Sequence, residues 1–213
     1  MLHIKSFIFS PIQENTYILY NGFNDCIIID PGCYYDSEKE ELKDHIIRMN
    51  LNPKMLLNTH CHLDHIFGNK FIAEEFGLTL HIHEKEKRLF DLAPASGLMY
   101  NLPFDNYNGE LVYIKEGQKL LLGEDVLQIL FTPGHSPGSV SFYCEADNFV
   151  ISGDALFNRS IGRTDLPGGN YETLINSIKE NLLVLPSETK VYSGHGDVTT
   201  IGEEIKFNPF LNE

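Results

Sequence analysis

The chain has 213 residues, 42% hydrophobic and 22% charged, which is enough to bury one sizeable core, and a single domain over residues 1–213 is expected. Its 16 Lys and Arg against 30 Asp and Glu give a formal charge of -14, which repels phosphate backbones and argues against nucleic acid as a partner. No window approaches the roughly eighteen apolar residues of a membrane span, and four dispersed cysteines without a C-x-x-C pair (Cys26, Cys33, Cys61, Cys144) suit free thiols in a reducing, cytoplasmic setting.

The N-terminal MLHIKSFIFSPIQENTYILY lacks a basic leader and a small-residue cleavage site, so it reads as strand rather than secretory signal. In chain order, IKSFIF, NTYILY and CIIID have strand character. Ser37 and Glu40 then have capping-box spacing, and Leu42, Ile46 and Met49 repeat along one helical face until Pro53. MLLNTH is the next strand. A helix from Asp64 to Phe76 follows, with Phe67/Phe71 and Ile72/Phe76 at i,i+4 and Gly77 as its stop. After the strand LTLHIH, the stretch APASGLMYNLPFDNYNG (93–109) has neither period and reads as a long surface loop, a candidate lid. VLQILFT, SVSFYC and FVISG are strands, a helix follows Asn170 with Leu174, Ile178 and Leu182 in register, and KVYSG is the last strand. Strands mixed with helices predict an α/β arrangement with helices covering sheet faces.

Imidazole and carboxylate are ligand groups for Zn²⁺ and similar divalent ions, and THCHLDH (59–65) offers them at His60, His62, Asp64 and His65. On an extended segment residues two apart share a face, so His60 and His62 point one way while Asp64 and His65 turn into the next helix. His135 after QILFTPG, Asp154 after FVISG and His195 after KVYSG repeat this placement at the ends of apolar strands. Strand ends on one sheet edge converge on one crevice. Burying five histidines and two aspartates there without an ion is costly, so a metal centre is expected. His81 and His83 also form H-x-H, but no carboxylate follows at the right distance; with His45 and His3 they read as structural.

The ordered set His60, His62, Asp64, His65, His135, Asp154 and His195 resembles the signature of the metallo-β-lactamase-fold hydrolases. Within them PIQENTYILY, IIIDPG, TPGHSPGSV, SGDALF, GRTDLPGG and TTIGEEIKFNPFL resemble the short glyoxalase II-like, hydroxyacylglutathione hydrolase-like members. The resemblance implies an αββα four-layer sandwich with a dinuclear site between two sheets. It assigns His60, His62 and His135 to one metal, Asp64, His65 and His195 to the other, and Asp154 to the bridge, with Asp64 and Asp154 as the catalytic carboxylates. Zinc is the implied metal, iron or manganese the alternatives. Asp30 matches a family aspartate that orients a ligand histidine, its other reading being a turn residue before Pro31-Gly32.

Glyoxalase II carries a C-terminal glutathione-binding helical domain. With this chain ending at Glu213, soon after His195, that domain is expected to be absent and saturation by glutathione weak. The implied reaction is hydrolysis of a small acyl thioester by a metal-bridging hydroxide, since two cations acidify a shared water and leave positive charge for the oxyanion. Arg163 and the segment from Met99 to Tyr107 are candidates to touch substrate, the alternative for Arg163 being a surface pair with Asp165.

Cys61, where glyoxalase II usually has histidine, and GRTD (162–165) also resemble the persulfide dioxygenases. That implies an alternative oxidoreductase with one Fe²⁺ on two histidines and Asp154, with Cys61 otherwise a packed thiol. A non-catalytic metal module is disfavoured because structural zinc sites are closed and thiolate-rich. A nuclease conflicts with the acidic balance, and β-lactam hydrolysis is not expected of a cytoplasmic chain.

Overall fold

The structure is a computed structural model and describes residues 1–211. One sheet runs β1 (His3–Phe9), β2 (Glu14–Tyr20), β3 (Asp25–Ile29), β4 (Asn52–Leu57), β5 (Leu80–His83) and β6 (Leu111–Ile114), in that spatial order. The first three strands pair antiparallel and the pairs from β3 to β6 are parallel. Parallel neighbours need crossovers. These are α1 (Asp36–Arg48), then α2 (Leu63–Ile66) with α3 (Asn69–Phe76), then α4 (Lys87–Met99).

The second sheet uses β7 (Lys119–Leu122), β8 (Asp125–Phe131), β9 (Val140–Cys144) and β10 (Phe149–Gly153). A short hairpin, β11 (Leu156–Phe157) with β12 (Ser160–Ile161), stands apart from it. The helix α5 (Tyr171–Ser177), a π turn at Ile178–Leu182, β13 (Lys190–Ser193), β14 (Thr199–Thr200) and α6 (Ile201–Phe207) complete the described chain, and the sheet order is β14-β13-β10-β9-β8-β7.

Alternation along the strands builds the layers. Ile27 and Ile29 turn inward to meet Leu19, Leu57, Ile129, Val140, Phe142 and Ile151 between the sheets. Ile28, with Ile18 and Leu56, turns outward against Leu42, Ile46, Ile66, Ile72 and Phe90 of the helices. Beneath the second sheet, Val150 and Val191 meet Leu174, Ile178, Leu182 and Ile201. Each fully buried Ile or Leu contributes about 1.5–3 kcal/mol. Helix, sheet, sheet, helix is the αββα order, and strands buried on both faces account for continuous apolar runs such as CIII.

Four local expectations change. The first helix is capped at Tyr35 rather than Ser37: the Glu38 carboxylate accepts from the N–H groups of Tyr34, Tyr35 and Ser10. Residues 64–76 form two helices because Gly68 donates its N–H to Pro31 O. Residues 93–99, expected as loop, belong to α4, whose buried stripe of Phe90, Ala93 and Gly97 begins ahead of residue 93. Pro94 and Gly97 hide that helix by lowering its propensity. The strands β6 and β7 went unpredicted; in β6 only Ile114 is buried. Among the described residues no helix is long and apolar enough to cross a membrane.

Candidate metal centre

The two sheets are stitched together at one edge. Val140 N–H donates to Thr59 O at 2.9 Å, Asn15 N–H to Gly194 O at 2.7 Å, and the Tyr17 hydroxyl to Ser193 O at 2.6 Å. His60 follows β4, His135 lies beyond β8, Asp154 follows β10 and His195 lies just past β13, so all reach this edge. Gly194 makes room for them: a Cβ there would lie 2.1 Å from Asp154 Oδ1 and 2.6 Å from His65 Cε1.

The seven residues gather in two groups of three and one between. Atoms of His60, His62 and His135 lie within 4.8 Å of one another, as do those of Asp64, His65 and His195. In the first group His62 Nδ1 is 2.7 Å from His135 Nε2, which is 3.2 Å from His60 Nε2. In the second, His195 Nε2 is 3.2 Å and His65 Nε2 3.8 Å from Asp64 Oδ2. Asp154 stands between them: Oδ1 is 3.4 Å from His65 Nε2, and Oδ2 is 3.5 Å from His135 Nε2 and 3.7 Å from His195 Nε2.

Four rings are fixed from behind. His135 Nδ1–H donates to Arg163 O at 2.8 Å and His195 Nδ1–H to Gln13 O at 3.0 Å. His65 Nδ1 faces Asp30 Oδ2 at 3.0 Å. The Thr59 hydroxyl donates to the same Asp30 oxygen at 2.5 Å and is 3.1 Å from His60 Nδ1, so its oxygen accepts from that ring. With Nδ1 protonated, the Nε2 lone pairs of all four rings point inward. A third overlapping group, Asp30 with His60 and His65, is also compact. Its aspartate is already committed to Thr59 N–H, the Thr59 hydroxyl and Asn58 Nδ2, which makes it an orienting group.

The charges divide unevenly. Burial, reinforced by neighbouring histidines, pushes His60 well below the ordinary imidazole range and His62 to about 3. Burial likewise lowers His135. At His65 burial opposes protonation, but Asp154, Asp64 and Asp30 outweigh it and hold the ring well above its usual value. His195 is raised in the same way by Asp64 and Asp154. Burial works against Asp154 and Asp64 as well, yet His65 holds both carboxyls low, Asp154 far below the ordinary range.

Such a set fits divalent cations. His60 Nε2 and His135 Nε2, both left as lone pairs by the bonds to their outer nitrogens, face each other at 3.2 Å, a repulsive contact unless a positive centre lies beside them, and His62 Nδ1 joins them 2.7 Å from His135 Nε2. His65 Nε2 and Asp154 Oδ1 are buried without a hydrogen-bond partner, both aimed inward.

The sequence profile of the Metallo-beta-lactamase superfamily matches residues 10–195. This chain belongs to that superfamily. As a member of that superfamily it is a metal-dependent hydrolase, and the His/Asp groups described above are its candidate ligands. It is 42% identical over 204 residues to a probable metallo-hydrolase, YqgX, of Bacillus subtilis, covering 95% of this chain and 94% of that one. It is 38% identical over 213 residues to the hydroxyacylglutathione hydrolase GloC of Haemophilus influenzae, covering 99% of both. Among solved structures, BLEG-1, a B3 metallo-beta-lactamase, superposes with a TM-score of 0.90 at 39% identity over 99% of this chain and 100% of that one. TTHA1623 in a di-iron-bound form gives 0.88 at 36% identity over 97% and 100%.

In this metallo-beta-lactamase fold the other histidines stay apart from the centre. His83 stacks on Phe131, His81 Nδ1 donates to main-chain carbonyls, His45 packs edge-on against Phe7 and His3 stacks on Tyr20. The Cys61 side chain is buried and burial pushes its thiol well up. Arg163 pairs with Asp165 through two hydrogen bonds of 2.7 and 2.8 Å on the surface. Met99 and Tyr100 are exposed, while Phe104 packs on Phe67 and, with Tyr34 and Phe71, lines an open groove of about 590 Å³.

Three buried polar side chains around the centre carry no mark in the sequence pattern. Glu14, fully buried, accepts from the Thr16 hydroxyl at 2.8 Å and lies 3.9 Å from His65 Nδ1. Asn58 links Asp30 to Asn69. Glu86 holds the loops that carry His60, His62 and His135.

Proposed function

We propose that this chain is a dinuclear metal-dependent hydrolase of small acyl thioesters. His60, His62 and His135 serve one divalent cation, Asp64, His65 and His195 the other, and Asp154 both. The observation that carries the reading is Asp154, which stands between the groups, with Oδ1 toward His65 and Oδ2 within 3.5 Å of His135 and 3.7 Å of His195. When bound, the cations supply a water acidified toward neutrality and positive charge for the oxygen of an attacked acyl group.

The chain's own residues prepare that chemistry. Asp30 and the carbonyls of Arg163 and Gln13 hold protons on the outer nitrogens of His65, His135 and His195, keeping Nε2 free as a donor. Without a cation, Asp64 and Asp154 are held low and ionised by the positive charge of a protonated His65, and a bound cation would take the place of the proton on its Nε2. The two nucleophiles beside the candidate ligands are not placed to attack in place of water. Cys61 is buried with its thiol pushed up, and Ser136 donates to Glu86.

A thioester substrate is supported by the likeness to GloC. Zinc suits the His/Asp set, and the likeness to a di-iron protein supports iron as an alternative. The free cysteines support a reducing, cytoplasmic setting.

The test is reconstitution of metal-free protein with zinc, iron(II) or manganese. Metal per chain is then measured, with turnover of S-lactoylglutathione, other acyl thioesters, a β-lactam, and a persulfide under oxygen-uptake recording. Two metals per chain with thioester hydrolysis is expected. One iron per chain with oxygen consumed on persulfide would replace this reading with the dioxygenase, and turnover confined to the β-lactam would remove the thioester.

A further inference from the structure

The geometry points to Glu86 as a positioning residue that sets the spacing of the His60, His62 and His135 group by tying together the two loops that carry it. The inference rests on the metal reading above.

Glu86 ends a 3₁₀ turn after β5, the segment Glu84–Glu86, and its side chain is fully buried. One carboxylate oxygen, Oε2, accepts from the Cys61 N–H at 2.8 Å, in the middle of His60-Cys61-His62. The other, Oε1, accepts from the Ser136 hydroxyl at 2.7 Å and the Gly138 N–H at 2.6 Å, in the loop that begins at His135. A single buried carboxylate therefore clamps two segments far apart in sequence whose histidine nitrogens meet at 2.7 and 3.2 Å. The loop is shaped to come this close. A Cβ at Gly138 would lie 2.9 Å from Glu86 Cγ and 3.0 Å from Oε1, so any larger residue pushes the loop away.

A buried carboxylate with only main-chain and hydroxyl partners is costly to keep in a core. An apolar side chain in its place would leave the buried N–H groups of Cys61 and Gly138 without an acceptor, so the two loops depend on this one group. What it supplies is a fixed separation: two oxygens of one rigid group hold Cys61 and Ser136–Gly138 in register, and the histidines beside them inherit it. The second group, Asp64, His65 and His195, makes no contact with Glu86 and is oriented by Asp30 and Gln13 instead. Removing Glu86 should thus affect one metal-binding step and not the other.

Metal-free wild type, Glu86→Ala and Glu86→Gln are titrated with zinc against a competing chelator, and the cobalt(II) spectra are recorded. Wild type is expected to bind in two steps. In Glu86→Ala one step weakens by about 10- to 100-fold, the range for losing a group that orients a ligand. The other step is unchanged, and one of the two cobalt environments shifts. Glu86→Gln, which keeps the volume and one carbonyl oxygen for Ser136 and Gly138, recovers part of the loss. Should Glu86→Ala fail to fold, Glu86→Gln against wild type carries the same comparison. Both steps unchanged in a folded variant, or both weakened alike, would overturn the tether while leaving the dinuclear reading in place. A wild type that binds no metal would overturn that reading and the tether with it.

Discussion

Asp30 and His65 face each other at 3.0 Å, carboxylate Oδ2 to Nδ1, with neither side chain in appreciable contact with solvent. The same carboxylate reaches His60 through the Thr59 hydroxyl, so one aspartate orients a histidine in each of the two groups. Replacing Asp30 by Ala releases both rings and leaves the Thr59 N–H buried without its acceptor. The orphaned donor alone costs about 1–3 kcal/mol, and metal affinity is expected to drop by about 10- to 100-fold. Urea unfolding of the metal-free protein and chelator competition measure the two effects separately. Unaltered affinity would return Asp30 to a turn residue.

Asp154→Asn keeps the size of the side chain but exchanges one oxygen for an amide that cannot accept. Because Asp154 is the one carboxylate set between both groups, with Oδ2 near His135 and His195 and Oδ1 near His65, losing an oxygen removes the link between them. The variant is expected to carry one metal where wild type carries two, with thioester turnover down by about 10²-fold or more. Elemental analysis beside a turnover assay decides it; two metals and full activity would refute the bridge.

All four cysteines are free and buried. Burial, with a smaller push from Asp25, raises the Cys26 thiol to about 12, and burial also raises Cys33, Cys61 and Cys144. Thiolate is the reacting form, and a raised thiol value leaves almost none of it at neutral pH. An aromatic disulfide reagent at pH 7 is expected to find no reactive thiol in the native protein and all four after unfolding. Rapid labelling of Cys61 would revive its reading as a reactive group.

Phe142 is fully buried between the sheets, whereas Leu121 on the edge strand β7 is 63% exposed. Phe142→Ala is expected to cost about 3–5 kcal/mol, and Leu121→Ala to stay within about 0.5 kcal/mol. The shift in urea midpoint reads both, and equal losses would contradict the layered core.

The four layers were legible because burial on both faces writes itself into apolar runs such as CIII and FVI, and His60, His62, Asp64 and His65 announce themselves by crowding into seven residues. His135, Asp154 and His195 stood out only because each ends such a run. Glu86 left no comparable trace. It sits in the charged run EKEK beside Glu84, and nothing in the local pattern tells which acid is buried, since two of its three partners are main-chain N–H groups that any residue type offers. The end of α4 was hidden for a related reason: Pro94 and Gly97 speak against a helix, and only the packing of Phe90 and Ala93 restores it.

The hydrogen bonds across the sheets at Thr59, Gly194 and Ser193 also make the centre a sensor of the scaffold. Prising the two sheets apart at this edge breaks them and scatters the seven candidate ligands in the same event, so slow amide exchange at Asn15 and Val140 reports whether the centre is assembled.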